Sequence, residues 1–136
     1  MGSDDASVNV MRAVDTNVLV RLITRDDLRQ AASADLFVEK GAWVSTLALA
    51  EATWVLATVY ERSAADLVIA VEMLLNHNDL TLQDSDVVAA ALDLYRARPA
   101  LGFSDCLMLQ LARKAGHLPL GTFDRALGKI EGAQKL

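Results

Sequence analysis

The fold is decided at residues 11–20, MRAVDTNVLV, where an apolar run ends in a carboxylate. The β-like run Val8–Val14 is predicted to form the first strand, which ends at Asp15. A short helix is predicted directly after it, over Val18–Thr24. A buried strand that ends in an acid and leads into a helix favours an α/β domain with polar groups at its strand ends.

Short strand-like runs alternate with longer helical runs along the rest of the chain, and no internal repeat divides it. Further strands are predicted at Trp43-Val44, Leu80–Gln83 and Leu118–Leu120, and further helices at Leu28–Lys40, from Ser45 or Thr46 to Tyr60, from Ser63 to Leu75, Asp84–Arg96, from the capping residue Ser104 to Ala115, and after Asp124. Strands separated by helical crossovers are expected to be parallel. We therefore predict an α/β fold with a central parallel sheet of four to five short strands and helices on both faces.

The length of 136 residues and a hydrophobic content of 53% predict one compact domain, which we assign to residues 11–136. Residues 1–10 are interpreted as an extension that carries the start of the first strand. Its beginning, Met1-Gly2-Ser3, is typical of an expression-vector remnant. No segment is apolar enough for a membrane span, and the start has no secretory signal pattern. A single cysteine, Cys106, favours a reducing cytoplasm.

The charge balance narrows the classes of function. Thirteen Lys and Arg against eighteen Asp and Glu give a formal net charge of −5. This balance argues against a protein that binds nucleic acid mainly through a basic surface. It does not exclude a protein that binds phosphate groups through metal ions.

Four acids stand out from the solvated carboxylates of the chain: Asp15, Glu51, Asp105 and Asp124. Asp15 as a turn former, Asp105 as a partner of a helix dipole and Asp124 as an N-cap each have a purely structural explanation. Glu51 lies within an apolar helical run, where an ionised carboxylate is costly without a partner. The functional interpretation depends on all four occurring together at strand ends and helix starts.

Carboxylates gathered at one place repel each other, and the four motifs contain few basic residues that could neutralise them. The set therefore predicts that divalent cations bind there. Oxygen ligands favour Mg²⁺ or Mn²⁺ over zinc, which prefers His or Cys. An ion held in this way is suited to hydrolysis of a phosphodiester by metal-activated water.

The chain resembles the PIN-domain nucleases in four ordered motifs: VDTNVL at 14–19, AE at 50–51, FSDCL at 103–107 and TFD at 122–124. The resemblance extends from Met11 onward and implies a three-layer PIN-like sandwich. It implies that the four acids are metal-binding catalytic residues. Thr16, Asn17 and Thr122 would be supporting polar groups that orient them.

The small size and the opening at residues 11–17 resemble the VapC-type toxins of bacterial toxin–antitoxin modules. This resemblance implies a Mg²⁺- or Mn²⁺-dependent endoribonuclease, an RNA substrate, a VapB-type antitoxin as partner and a homodimer. Two alternatives remain open. One is a PIN-fold interaction module without activity, and the other a Mg²⁺-dependent phosphotransfer domain.

Other candidate residues are interpreted as structural. His77 and His117 lie in predicted loops and are expected to be solvated, which disfavours a ribonuclease that depends on histidine. Cys106 is expected to pack inside a helix. The aromatic residues Phe37, Trp43 and Trp54 are expected to belong to the core.

Overall fold

The computed structural model describes residues 10–136. Within this range are five strands, β1 (Arg12–Val14), β2 (Ala42–Val44), β3 (Leu80–Leu82), β4 (Leu120–Thr122) and β5 (Ala133–Lys135), and six helices, α1 (Thr16–Thr24), α2 (Leu28–Val38), α3 (Thr46–Thr58), α4 (Ala64–Asn76), α5 (Ser85–Ala97) and α6 (Phe103–Ala115). Short 3-10 turns occur at Pro99–Leu101 and Leu127–Lys129. Apart from Val10, the predictions for residues 1–10 lie outside the described residues.

The strands are parallel, and helices form every crossover within the larger sheet. Strands β1, β2 and β3 form one ladder in that order, with Arg12 opposite Ala42 and Ala42 opposite Leu80. Strands β4 and β5 form a second parallel pair, in which Leu120 lies opposite Ala133. The α/β class with parallel strands is confirmed, and the hydrogen bonds divide the five strands into groups of three and two. The β5 segment, Ala133-Gln134-Lys135, has no apolar alternation that would have identified it.

Several helices begin at a side chain that caps them, and the predicted caps at Ser45 and Ser63 are among these. The Asp15 carboxylate accepts a hydrogen bond from the Val18 amide at 3.1 Å, which caps α1. The Ser45 hydroxyl accepts one from the Ala48 amide at 3.0 Å, so Ser45 rather than Thr46 caps α3. Such side-chain bonds satisfy amides that have no partner within the helix.

The start of α6 differs from the sequence prediction. Ser104 was expected to cap this helix, and that prediction is wrong: the cap position is Gly102, and the helix begins at Phe103. Gly102 has a φ of +82°, which a glycine adopts at little cost and which lets the chain turn sharply out of the preceding 3-10 turn. Ser104 therefore lies in the first turn of α6.

The last part of the chain also differs in detail. The fourth strand is β4, Leu120–Thr122, rather than Leu118–Leu120. Pro119 has no amide hydrogen to donate to a ladder, so pairing begins after it. The short helix predicted after Asp124 is a single 3-10 turn, Leu127–Lys129.

The core lies between the three-stranded sheet and the helices. The largest side chains that are almost completely buried include Leu19, Leu49, Leu56, Leu74 and Leu109. The middle row of the sheet, formed by Ala13, Trp43 and Thr81 in register, is exposed, so the described helices leave this row open. Among residues 10–136, no helix is both long and apolar enough to cross a membrane.

Two leucines of α3 provide a matched test of this packing. Leu49 is 1% exposed and Leu47 is 68% exposed. We expect Leu49→Ala to lower the free energy of unfolding by about 2–5 kcal/mol, because it removes buried methyl groups and leaves a cavity. Leu47→Ala is expected to change it by less than about 0.5 kcal/mol. Urea unfolding of both variants measures the difference, and equal losses would show that α3 presents a different face to the core.

Candidate functional site

Asp15 lies where β1 ends and α1 begins. Val14 before it is buried, whereas Asp15 itself is exposed. Its Oδ1 accepts the hydrogen bond from the Val18 amide, so one carboxylate oxygen is held by the helix N-terminus. The structural role of a cap is thus observed at Asp15. The second oxygen makes no hydrogen bond within residues 10–136 and is available to a ligand.

Glu51 lies on α3 with its side chain in solvent. The buried face of this helix is formed by Ala48, Leu49, Ala52, Thr53 and Leu56. The expectation that Glu51 would be a costly buried charge is therefore wrong, because Glu51 is exposed. Its Oε2 accepts a hydrogen bond from the Thr16 hydroxyl at 3.3 Å, which joins the first turn of α1 to α3.

An open cleft of about 490 Å³ joins these groups, and Asp15, Thr16, Asn17 and Glu51 all line it. Ser45 and Ala48, at the start of α3, form part of its wall. The structure therefore brings two of the four predicted acids and two of the predicted supporting residues together.

Asp105 and Asp124 form the other half of the set. Asp105 lies in the first turn of α6 and is half-buried, and burial is the main cause that raises its pKa above the ordinary value. The negative charge of Asp124 raises the pKa of Asp105 further. The two carboxylates are thus close enough to repel each other.

Asp124 is positioned by the turn that follows β4. Its Oδ1 accepts a hydrogen bond from the Leu127 amide at 2.8 Å, and its own amide donates to the Thr122 hydroxyl at 3.0 Å. Thr122 therefore supports the backbone at Asp124 and does not contact the carboxylate. As at Asp15, one oxygen of the acid is held by a backbone amide.

The four acids lack the cations that neutralise acids elsewhere on the surface. Within residues 10–136, six acids form ion pairs with Arg21, Arg25, Arg96 or Lys114; these acids are Asp26, Asp35, Glu72, Asp84, Asp86 and Asp93. None of the four candidate acids is in an ion pair in this range.

Arg12 is the basic residue closest in sequence to Asp15, and it is engaged elsewhere. Its guanidinium lies 3.8 Å from the centre of the Phe37 ring and donates a hydrogen bond to the Phe37 carbonyl at 3.3 Å. This contact holds the Arg12 guanidinium against α2, so Arg12 does not form an ion pair with Asp15.

The donor set fits a hard divalent cation, although the four acids do not form one compact cage. Among residues 10–136, no three of the acids, His or Cys lie close enough to hold an ion together. A protein usually binds Mg²⁺ through only one or two carboxylates and leaves the other positions to water and substrate. Asp15 with Glu51, or Asp105 with Asp124, meets that requirement.

The remaining candidates are structural. Cys106 is completely buried, and burial, with a smaller contribution from the charge of Asp105, raises the pKa of its thiol to about 11. The thiol is therefore neutral at physiological pH, which confirms a packing role. The His77 ring accepts a hydrogen bond from the Asp79 amide at 3.1 Å and stabilises a turn.

Trp54 was expected in the core, and that prediction is wrong: its side chain is 62% exposed. It lies three residues after Glu51 on α3 and lines a small cavity together with Asp105. Its spacing from Glu51 was the signal that could have predicted its position, because residues three apart lie on one face of a helix and Trp54 therefore shares a face with Glu51.

The raised pKa of Asp105 predicts a specific pH dependence of stability. A carboxyl group whose pKa is higher in the folded than in the unfolded state does not lower the free energy of unfolding at a pH below the unfolded pKa. It lowers this free energy increasingly as the pH rises from the unfolded pKa through the folded pKa. We therefore expect Asp105→Asn to be more stable than wild type at pH 7 in EDTA. Solvent screening of this half-buried group limits the gain to about 0.5 kcal/mol, or about 1–3 °C in Tm.

Thermal melts at pH 7 and pH 4.5 test this expectation, and the gap is expected to shrink at the lower pH. Addition of about 10 mM Mg²⁺ should raise the Tm of wild type more than that of the variant, because a bound ion stabilises the folded state. If wild type is already the more stable protein in EDTA, and Mg²⁺ shifts both equally, Asp105 is not part of a repelling, ion-binding set.

Comparison with known proteins identifies the family. A family model described as PIN domain matches residues 12–133, which include all four candidate acids. No curated protein and no solved structure gives a significant match to the chain. PIN domains are generally metal-dependent nucleases. The length of the match and the α/β fold with parallel strands lead to one conclusion: this chain belongs to the PIN domain family.

Proposed function

We propose that this protein is a Mg²⁺- or Mn²⁺-dependent endoribonuclease whose catalytic acids are Asp15, Glu51, Asp105 and Asp124. The observation that carries the proposal is that these acids lie in pairs without counter-charge in the described part of the chain: Asp15 and Glu51 line one cleft, and the charge of Asp124 acts on Asp105. Six other acids are neutralised by Arg or Lys, whereas the four motif acids are not. A site of this kind requires a cation before it can accept a phosphate.

Hydrogen bonds hold three of the four acids. The α1 amide fixes Asp15, the Thr16 hydroxyl orients Glu51, and the turn after β4 fixes Asp124. Asn17 borders the cleft, where its amide is free to orient a carboxylate or a substrate oxygen. A bound Mg²⁺ or Mn²⁺ would neutralise the phosphodiester and make the attacking water more acidic.

We further propose that the protein acts as the toxin of a type II toxin–antitoxin system in the cytoplasm. The resemblance of its opening motif to VapC-type toxins supports this role. A VapB-type antitoxin would restrain it, and two copies would form a homodimer. The exposed apolar residues Leu28 and Leu36 on α2, 78% and 70% exposed, provide apolar surface for such contacts.

The central prediction is cleavage of RNA that EDTA abolishes and Mg²⁺ or Mn²⁺ restores. The products are expected to carry 5′-phosphates and 3′-hydroxyls, because water attacks the phosphorus, the bond to the 3′ oxygen breaks and the ribose 2′-hydroxyl takes no part. Asp15→Asn is expected to lower the rate by at least about 100-fold while the protein remains folded, since asparagine also caps helices well. Gel assays with end-group analysis and circular dichroism measure both properties.

Asp79→Asn is the matched control. Asp79 precedes β3 and therefore lies at the opposite end of its strand from the candidate site, and its carboxylate makes no ion pair in the described residues. Its activity should equal that of wild type. Recovery of 2′,3′-cyclic phosphate ends, or full activity of Asp15→Asn, would contradict the proposed mechanism. A pure protein that cleaves no RNA with either ion would favour the inactive interaction module.

The toxin role predicts a growth phenotype. Expression of wild type alone in bacteria should slow growth, and Asp105→Asn should relieve the effect because it removes one of the proposed ligands. Asp79→Asn should be as toxic as wild type. Growth curves with matched protein levels measure this, and equal toxicity of wild type and Asp105→Asn would count against a toxin that acts through these acids.

A further inference from the structure

A second, smaller cavity lies between α3 and the start of α6. It has a volume of about 230 Å³, and Asp105 borders it. Drug-sized ligands usually occupy about 300–1,000 Å³, so this cavity has room for a single small ring system. Its position beside one of the proposed catalytic acids makes it part of the surface that a substrate would cover.

The walls of this cavity are apolar and partly aromatic. Leu67, Tyr95 and Phe103 form buried parts of the wall, and the Tyr95 and Phe103 rings meet edge to face with their centres 6.0 Å apart. At Gly102 an added Cβ would meet no atom within 4 Å, so the cavity is open there. Both rings are buried, so they form an apolar floor beneath the exposed side of the cavity.

Trp54 forms the exposed side of the cavity. Its indole is 62% exposed although it is among the largest apolar side chains of the protein. Within residues 10–136 its ring makes no aromatic pair and no contact with a cation. An unpaired indole next to an apolar cavity is a surface on which a flat ring can stack.

The charge at the cavity disfavours a phosphate group inside it and favours a neutral ring. The cavity is lined by Asp105 and by no Lys or Arg. The Ser104 hydroxyl and the Asp105 carboxyl group provide polar atoms at its edge, and the Ser104 hydroxyl makes no hydrogen bond within the described residues. A ligand with a flat apolar face and a polar edge matches this arrangement. Nucleobases have that chemistry, and base stacking on aromatic side chains is largely independent of sequence.

We propose that Trp54 and this cavity bind one nucleobase of the RNA substrate, stacked on the indole, next to the phosphodiester that the acids act on. This inference rests on the proposed function and adds a substrate-positioning residue to it. Stacking gives a chain of net charge −5 a means to hold RNA that does not depend on a basic surface.

The test uses the two tryptophans of the chain. In Trp43→Phe, Trp54 is the only tryptophan, so its fluorescence reports on the cavity directly. The additional change Asp15→Asn prevents cleavage and leaves the cavity residues intact. This double variant is titrated in Mg²⁺ with a uridine hexanucleotide, an adenosine hexanucleotide, and a hexamer of the same ribose-phosphate backbone without bases. We expect saturable quenching by a base-bearing hexamer and none by the abasic hexamer.

Steady-state kinetics provide the second measurement. Trp54→Ala is expected to raise KM by about 10-fold, within the range known for loss of one stacked base, with kcat changed less than about 2-fold. Trp54→Phe should recover part of this loss, because it retains a ring. Ile69→Ala, which removes a similarly exposed apolar residue on α4, should behave as wild type.

The outcomes separate this inference from the proposed function. Metal-dependent cleavage with an unchanged KM in Trp54→Ala, or equal quenching by abasic and base-bearing hexamers, would overturn the inference and leave the nuclease intact. An unchanged KM together with no quenching would also indicate that the exposed indole serves a protein partner. Base-dependent quenching in the double variant, together with no RNA cleavage by wild type in either ion, would support the base site and contradict the nuclease.

Discussion

The hydrogen bond from the Val18 amide to Asp15 is the contact on which the site depends, because the same carboxylate starts α1 and borders the cleft. Asp124 repeats the arrangement in its bond to the Leu127 amide. Each bond fixes one oxygen of an acid and leaves the other free. The structural explanation of these aspartates as caps and their proposed role as ligands are therefore compatible, since a cap limits where the free oxygen can point.

Local sequence was sufficient to predict the elements that carry the site, and tertiary packing was needed to orient it. The strand ending at Val14 and the caps Ser45 and Ser63 follow from short-range patterns, and both caps are confirmed. The orientation of α3 could not be predicted, because this helix has apolar residues on nearly every side and periodicity does not distinguish its faces. For this reason Glu51 was expected to be a costly charge within an apolar helix and Trp54 was expected in the core, whereas both side chains are exposed.

The distances among the four acids could likewise not be predicted from the sequence. Motif order predicts that they gather at one place, but it contains no information on distance. The structure joins Asp15 and Glu51 through one cleft and Thr16, and it brings Asp124 close enough to Asp105 to raise the pKa of the latter. This division into pairs depends on how α1 meets α3 and on where the turn after β4 lies relative to Asp105, and both relations join residues that are far apart in sequence.

The four acids have no Arg or Lys partner within residues 10–136, so the electrostatic repulsion at this surface depends on the ions in the surrounding solution. At physiological ionic strength, mobile ions screen exposed charges over about 8 Å, which covers Asp15, Glu51 and Asp124. They reach the half-buried Asp105 less well. Monovalent salt therefore relieves part of the repulsion without supplying a ligand, whereas it weakens the ion pairs of Arg25 and Lys114. A rise in salt concentration thus reduces the repulsion among the four acids and at the same time weakens the ion pairs elsewhere on the surface.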